Sequence, residues 1–139
     1  MKKRFVSLFL VGLLVFGVFV TPAAAATTRA SDQLARYYSY LVPDRDGRFG
    51  IVFSVSGTNT MKKIGAKQIQ IYEQVGSRWS PAATFDSSMD GMCDVNTFAF
   101  ANTIYYSGTP GTYYKVVVTV FAENAAGSDS RTETHYITA

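Results

Sequence analysis

Beyond residue 33 the chain alternates apolar and polar side chains with a period of two, the spacing that sends successive residues to opposite faces of a strand. In residues 51–56, Ile51, Phe53 and Val55 share one face, with Ser54 and Ser56 on the other. Ile69 and Ile71 alternate with Gln68 and Gln70. The longest run sets Tyr114, Val116, Val118, Val120 and Ala122 against Lys115, Val117, Thr119, Phe121 and Glu123. Turn chemistry separates the runs. Asp44, Asp46 and Gly47 close the first, Gly76 and Ser77 make a short hairpin, Gly108, Pro110 and Gly111 precede the valine run, and Asn124 and Gly127 follow it. Strands are predicted near residues 37–42, 51–56, 69–75, 79–85, 97–105, 114–122 and 129–137, with 57–66 as a longer connection. Such a series of short strands predicts an all-β fold, a seven-stranded antiparallel β-sandwich forming a single domain over residues 34–139.

Composition agrees with a β domain. Its only leucines are Leu34 and Leu41, whereas all nine tyrosines of the chain fall within it. The start of the chain reads differently. Lys2, Lys3 and Arg4 precede an apolar stretch over residues 5–20, and Pro22 and the alanines at 23–26 follow it. A basic start, an apolar stretch and small residues are the layout of a secretory signal helix, here residues 1–25, with cleavage after Ala25 or Ala26. Residues 26–33 would then be a flexible N-terminus. If uncut, the segment 5–26 is long enough for a membrane anchor, which needs about 20 residues.

That division changes the meaning of the charge. The whole chain has 13 Lys and Arg against 10 Asp and Glu, a net charge of +3. Three of the basic residues belong to the signal, so the exported domain has 10 of each sign and no net charge. A neutral domain has no overall attraction to phosphate backbones, and nucleic acid is excluded as an expected partner. Cys93 is the only cysteine, so no intrachain disulfide can form and stability must come from packing. A monomer is expected, with a Cys93-linked dimer as the alternative.

Tyr114, Val116, Val118, Val120, Ala122, Asn124 and Gly127 resemble the penultimate strand and following loop of fibronectin type III domains, which implies an immunoglobulin-like, fibronectin type III-like sandwich. In the usual pattern the tyrosine stands six residues before the alanine. Here that position is Val116, and the tyrosine is two residues earlier, so the hydrogen bond it makes at the sandwich corner is open. The segments GTNTMKKIGAKQIQIYEQVGSRW and GTYYKVVVTVFAENAAGSDSRT are similar to an uncharacterised family of small secreted bacterial proteins. That likeness implies export and a β fold, and assigns no catalytic residue.

Catalytic chemistry is poorly served. His135 is the sole histidine and lies in the last strand, no serine stands in a Gly-x-Ser-x-Gly elbow, and Asp90 and Asp94 place negative charge beside Cys93, the wrong sign for an activated thiol. No cofactor is expected. Asp44, Asp46 and Gly47 begin like a calcium loop, but Arg48 stands where an oxygen ligand belongs, and a hairpin turn is the stronger reading. Asp86, Asp90 and Asp94 recur every four residues and are a weak calcium candidate. Lys62, Lys63 and Lys67 form the one basic cluster.

The tyrosines are the most suggestive feature. Tyr37, Tyr38 and Tyr40 lie in the first strand, and Tyr105, Tyr106, Tyr113 and Tyr114 flank one loop, so alternation must send some of each group outward. Outward rings can stack on sugars or anchor a protein. The expected function is therefore a secreted, non-enzymatic module that binds an extracellular protein or glycan, with Tyr105, Tyr106, Tyr113, Lys62 and Lys63 as contact candidates. A small secreted inhibitor or effector presenting loop 57–66 or 87–96 to an extracellular protein is the second reading, and a hydrolase using His135 the third.

Overall fold

The computed structural model describes residues 32–139, so the expected signal segment, its expected cleavage residues Ala25 and Ala26, and most of the expected flexible stretch 26–33 lie outside the described residues. The described residues form six strands and no helix: β1 (Leu34–Pro43), β2 (Arg48–Val75), β3 (Arg78–Asp86), β4 (Cys93–Ser107), β5 (Tyr113–Asn124) and β6 (Gly127–Thr138). Every pairing is antiparallel, and all six strands belong to one sheet.

The organising element is β2, which runs for 28 residues and carries two sets of partners. Its first arm is flanked by β1 and β4, with Phe53 opposite both Ser39 and Asn102. Its second arm is flanked by β3 and β5, with Ile71 opposite both Ala83 and Val116, and β6 completes that side by pairing with β5. A three-strand half and a four-strand half therefore share β2. The sheet curls until their inward faces meet, which brings the rings of Phe49, in the first arm, and Tyr114, in β5, to 5.5 Å between centroids.

Residues 57–66 are thus not the loop that their Gly, Thr, Asn and Lys content predicts, and six strands replace the seven expected. Two predicted strands and the segment between them are one element. The local composition misleads because this stretch must bend and change register, which suits small and polar residues. Pairing with β4 breaks between Ser56 and Met61, and pairing with β5 slips between Ala66 and Gln68. The inward parity changes between Met61 and Ile64 and changes back between Ala66 and Ile69, the second change coinciding with the slip against β5. The buried positions run Phe49, Ile51, Phe53, Val55 and Met61, then Ile64 and Ala66, then Ile69 and Ile71, all at 0% or 1% exposure. With only one of the two switches, the second arm would turn its apolar residues to water. Each such side chain contributes about 1.5–3 kcal/mol when buried.

β5 supplies the facing wall. Tyr114, Val116, Val118, Val120 and Ala122 are all buried, as the alternation predicts. The predicted turns also form: Asp46 and Gly47 both take positive φ between β1 and β2, and Gly76 does so between β2 and β3. At the N-terminus, Asp32 and Gln33 are held in place. The Asp32 carbonyl accepts from the Thr58 hydroxyl at 2.7 Å, and the Gln33 N–H donates to Asp129 at 2.7 Å.

Gly65 is the tightest point in the fold. It pairs with Cys93 on one side and Phe121 on the other, at a φ of 147°. A Cβ there would lie 2.6 Å from the Cys93 Cα and would also collide with the Met92 carbonyl oxygen. Backbone rather than a flexible side chain blocks the space, so the neighbours cannot yield cheaply. Gly65→Ala is expected to lower unfolding free energy by about 2 kcal/mol or more in urea titration. A variant as stable as the parent would show that the close approach is not required.

Candidate functional site

Alternation decides the fate of the tyrosines. Tyr105 and Tyr106 are neighbours in β4, so they take opposite faces. Tyr105 points outward and is 53% exposed. Tyr106, expected among the ligand contacts, instead turns inward and packs on Phe49 and Tyr114 at 5.5 and 5.8 Å between centroids. Its hydroxyl has a raised pKa, first because burial penalises the phenolate and then through Tyr114 and Glu73.

Tyr114, beside Tyr106, makes a hydrogen bond with the backbone. Its hydroxyl accepts the Thr109 N–H at 2.8 Å, tying the loop between β4 and β5 to the start of β5. Gly108 makes room for this, since a Cβ there would lie 2.8 Å from the Tyr114 ring.

Two outward aromatic surfaces result, one on each half of the sheet. On the three-strand half, Tyr38 and Tyr40 stand with centroids 6.1 Å apart and planes 19° apart. Across the sheet the Tyr105 ring leans over bare Gly50, where a Cβ would come within 3.2 Å of it. The Arg48 guanidinium lies 4.1 Å above that ring and is paired with Asp44 at 3.5 Å.

The surface on the four-strand half is richer. Trp79 from β3, Tyr113 from β5 and Tyr136 from β6 form a triangle, with centroid separations of 5.8, 5.8 and 5.9 Å. Tyr113 and Tyr136 lie nearly parallel, 17° apart, and remain 39% and 53% exposed. Lys115 rises beside them, its Nζ 4.6 Å from the Tyr72 centroid and 5.0 Å from that of Trp79. The register explains the grouping, because Lys115 stands directly opposite Tyr72 on one side and Tyr136 on the other. Of this group the sequence singled out only Tyr113. Trp79, Tyr72, Lys115 and Tyr136 were missed because they meet only through cross-strand pairing, and the outward parity of Lys115 was the one available signal.

The lysine cluster lies elsewhere. Lys62 lines an open groove of about 410 Å³ with Thr60, Met61, Asn96 and Asn124, at the end of β5 opposite Tyr113. Lys63 sits near Asp86 and helps lower its pKa, although hydrogen bonds from Ser88 are the larger cause. The acidic segment after β3 folds back against the lysine stretch through Ser87 N–H to Lys67 O at 3.0 Å and Ala66 N–H to Met92 O at 2.7 Å. Opposite charges are therefore neighbours here. Among the described residues no three His, Cys, Asp or Glu side chains gather as metal ligands, so Asp86, Asp90 and Asp94 do not converge. Cys93 is half-buried, and its thiol donates to the Ser87 carbonyl at 3.0 Å.

His135 takes part in a contact that the sequence did not indicate. Ser39, buried in β1, donates to Glu133 Oε2 at 2.5 Å and lies 2.7 Å from His135 Nε2. The hydroxyl has one proton, given to the carboxylate, so the imidazole Nε2–H is the donor to Ser39 Oγ. Glu133 approaches that same nitrogen, at 4.0 Å, rather than the far side of the ring. A catalytic triad places its acid behind the histidine, on the other nitrogen. Here the three side chains clasp the edge strands β1 and β6 together.

No protein-family model, curated protein or solved structure matches the chain.

Two titrations test these environments. A raised Tyr106 pKa favours folding fully below the unfolded value of about 10 and loses that contribution as pH climbs through the folded value. Tyr106→Phe should therefore flatten the loss of stability above about pH 10 in urea titrations across pH; an unchanged slope would contradict the assignment. Ser88→Ala should raise the Asp86 pKa towards the ordinary carboxylate value in an NMR titration, since the bond from the Ser88 hydroxyl, which alanine removes, is the leading cause of its depression. No movement of that pKa would contradict it.

Proposed function

We propose that this protein is an exported, non-enzymatic binding domain, and that it takes a cell-envelope or extracellular glycan on the aromatic surface of its four-strand half. The observation that carries this reading is the Trp79, Tyr113 and Tyr136 triangle. Three rings from three strands stand outward on a continuous sheet, where they offer apolar faces of large area at small entropic cost. Polar side chains of the same outward parity surround them. Gln70 and Gln74 flank Tyr72, and Thr134 and Thr138 flank Tyr136. Amides and hydroxyls can both donate and accept, as sugar hydroxyls require.

The finer fold assignment belongs to the same reading. We take the domain to be an immunoglobulin-like or fibronectin type III-like sandwich whose second and third strands have fused into β2. Counting the arms of β2 separately gives seven strand segments in halves of three and four. The Tyr114 hydroxyl bond to Thr109 N–H supports this, because a tyrosine near the start of the penultimate strand that bonds back a few residues is a hallmark of such sandwiches. Export is supported by the basic and apolar start with its alanine cluster. The resemblance to small secreted bacterial proteins points the same way.

Trp79 is the only tryptophan, so intrinsic fluorescence reads this surface without a label. Titration with solubilised envelope glycans is expected to give a saturable change in that fluorescence. Tyr113→Ala and Tyr136→Ala should each weaken binding about tenfold, the scale of an aromatic contact worth 1–2 kcal/mol. Tyr105→Ala, on the other half, should leave affinity unchanged. If the two surface variants melt normally and bind as well as the parent, this surface is not the site.

A further inference from the structure

We infer that the ligand of this surface is an acidic polysaccharide, a chain of pyranose rings bearing carboxylates, and that Lys115 selects the charge. The inference rests on the glycan-binding reading above and adds the class of glycan. Lys115 lies among rings, with Tyr72 and Tyr136 as its direct cross-strand neighbours and its Nζ within 5.0 Å of the Tyr72 and Trp79 centroids. The ion pairs among the described residues are Arg48 with Asp44 and His135 with Glu133, and Lys115 takes part in neither. Side chains of the same outward parity around it, Gln70, Gln74, Thr134 and Thr138, are uncharged. Glu73 has the opposite parity, and Asp86 and Glu123 sit at the other end of the sheet, opposite Gln68 and Lys63.

Contrast with the other aromatic surface sharpens the point. Arg48 also lies over a tyrosine ring, but Asp44 already neutralises it. On the four-strand surface the cation that lies against rings, Lys115 beside Tyr72 and Trp79, is in no ion pair. An ammonium on a flexible stem is a point charge, suited to one anionic oxygen rather than to the two-pronged contact of a guanidinium. The rings restrict the source of that anion. Trp79, Tyr113 and Tyr136 can stack only on a ligand with flat apolar faces, which a pyranose has and a polyol-phosphate chain lacks. Ring stacking and a single carboxylate together describe a uronic-acid polymer.

The test compares three polymers by Trp79 fluorescence with the purified protein: polygalacturonate, the same polymer with its carboxyls reduced to alcohols, and poly(glycerol phosphate). Polygalacturonate should bind about tenfold more tightly than its reduced form, the factor expected of one charge-assisted contact. Raising salt to about 0.5 M should shrink that gap by screening. Lys115→Gln should abolish the preference without abolishing binding, and Lys115→Arg should keep it. The salt arm tests the claim on the parent protein even if the Gln variant fails to fold. Equal affinity for the charged and reduced polymers would overturn the charge assignment while leaving glycan binding intact. Tighter binding of poly(glycerol phosphate) would overturn the uronate assignment. If neither pyranose polymer changes the fluorescence, the glycan-binding reading falls as well.

Discussion

Everything in this fold depends on one long strand staying apolar on its inner side while it passes through both halves of a curled sheet. A strand alternates strictly, so the middle of β2 can bury Ile64 and Ala66 between two arms that bury odd-numbered residues only if the inward parity changes at each end of that segment. β2 makes that change twice, around Met61 to Ile64 and around Ala66 to Ile69. Gly65 sits between the two switches, where no Cβ fits against the backbone of Met92 and Cys93. The bend, the register changes and the glycine are one structural solution.

With β2 in place, the sheet still has to be closed. Two polar devices do this at the margins of the apolar core. Ser39, Glu133 and His135 join the outermost strands β1 and β6, which are not paired by backbone bonds. The Tyr114 hydroxyl holds the loop between β4 and β5 at the opposite end of β5 from the Asn124 turn, where the Asn124 side chain accepts from Ala126 and Gly127. With Cys93 the only cysteine, no intrachain disulfide assists these hydrogen bonds.

Curling one sheet leaves two outer faces, and both carry tyrosines because the strands are rich in them. The faces differ in what surrounds the rings. On one, Arg48 over the Tyr105 ring is paired with Asp44; on the other, Lys115 lies against Tyr72 and Trp79, beside the triangle of rings, and is in neither ion pair of the described residues. The two faces thus differ in how the cation against their rings is partnered, and both carry aromatic residues. Lys62 and Lys63 lie at the far end of β5 from these rings, Lys63 near Asp86 and Lys62 in the groove with Asn96 and Asn124.

Period-two alternation, read from the sequence by itself, determined that the described residues are all-β, which residues of the valine run are buried, and where Asp46-Gly47 and Gly76 turn the chain. These are local properties, set by the geometry of a residue and its immediate neighbours. The tertiary structure decided what depends on pairing between distant strands. It made residues 57–66 part of a strand, turned Tyr106 inward where the loop-flanking pattern had offered it as a contact, joined Ser39 to His135, and gathered Trp79, Tyr113, Lys115 and Tyr136. Alternation states that a side chain points up or down; only the register states what stands beside it, and register is fixed by the bend and curl of the whole sheet.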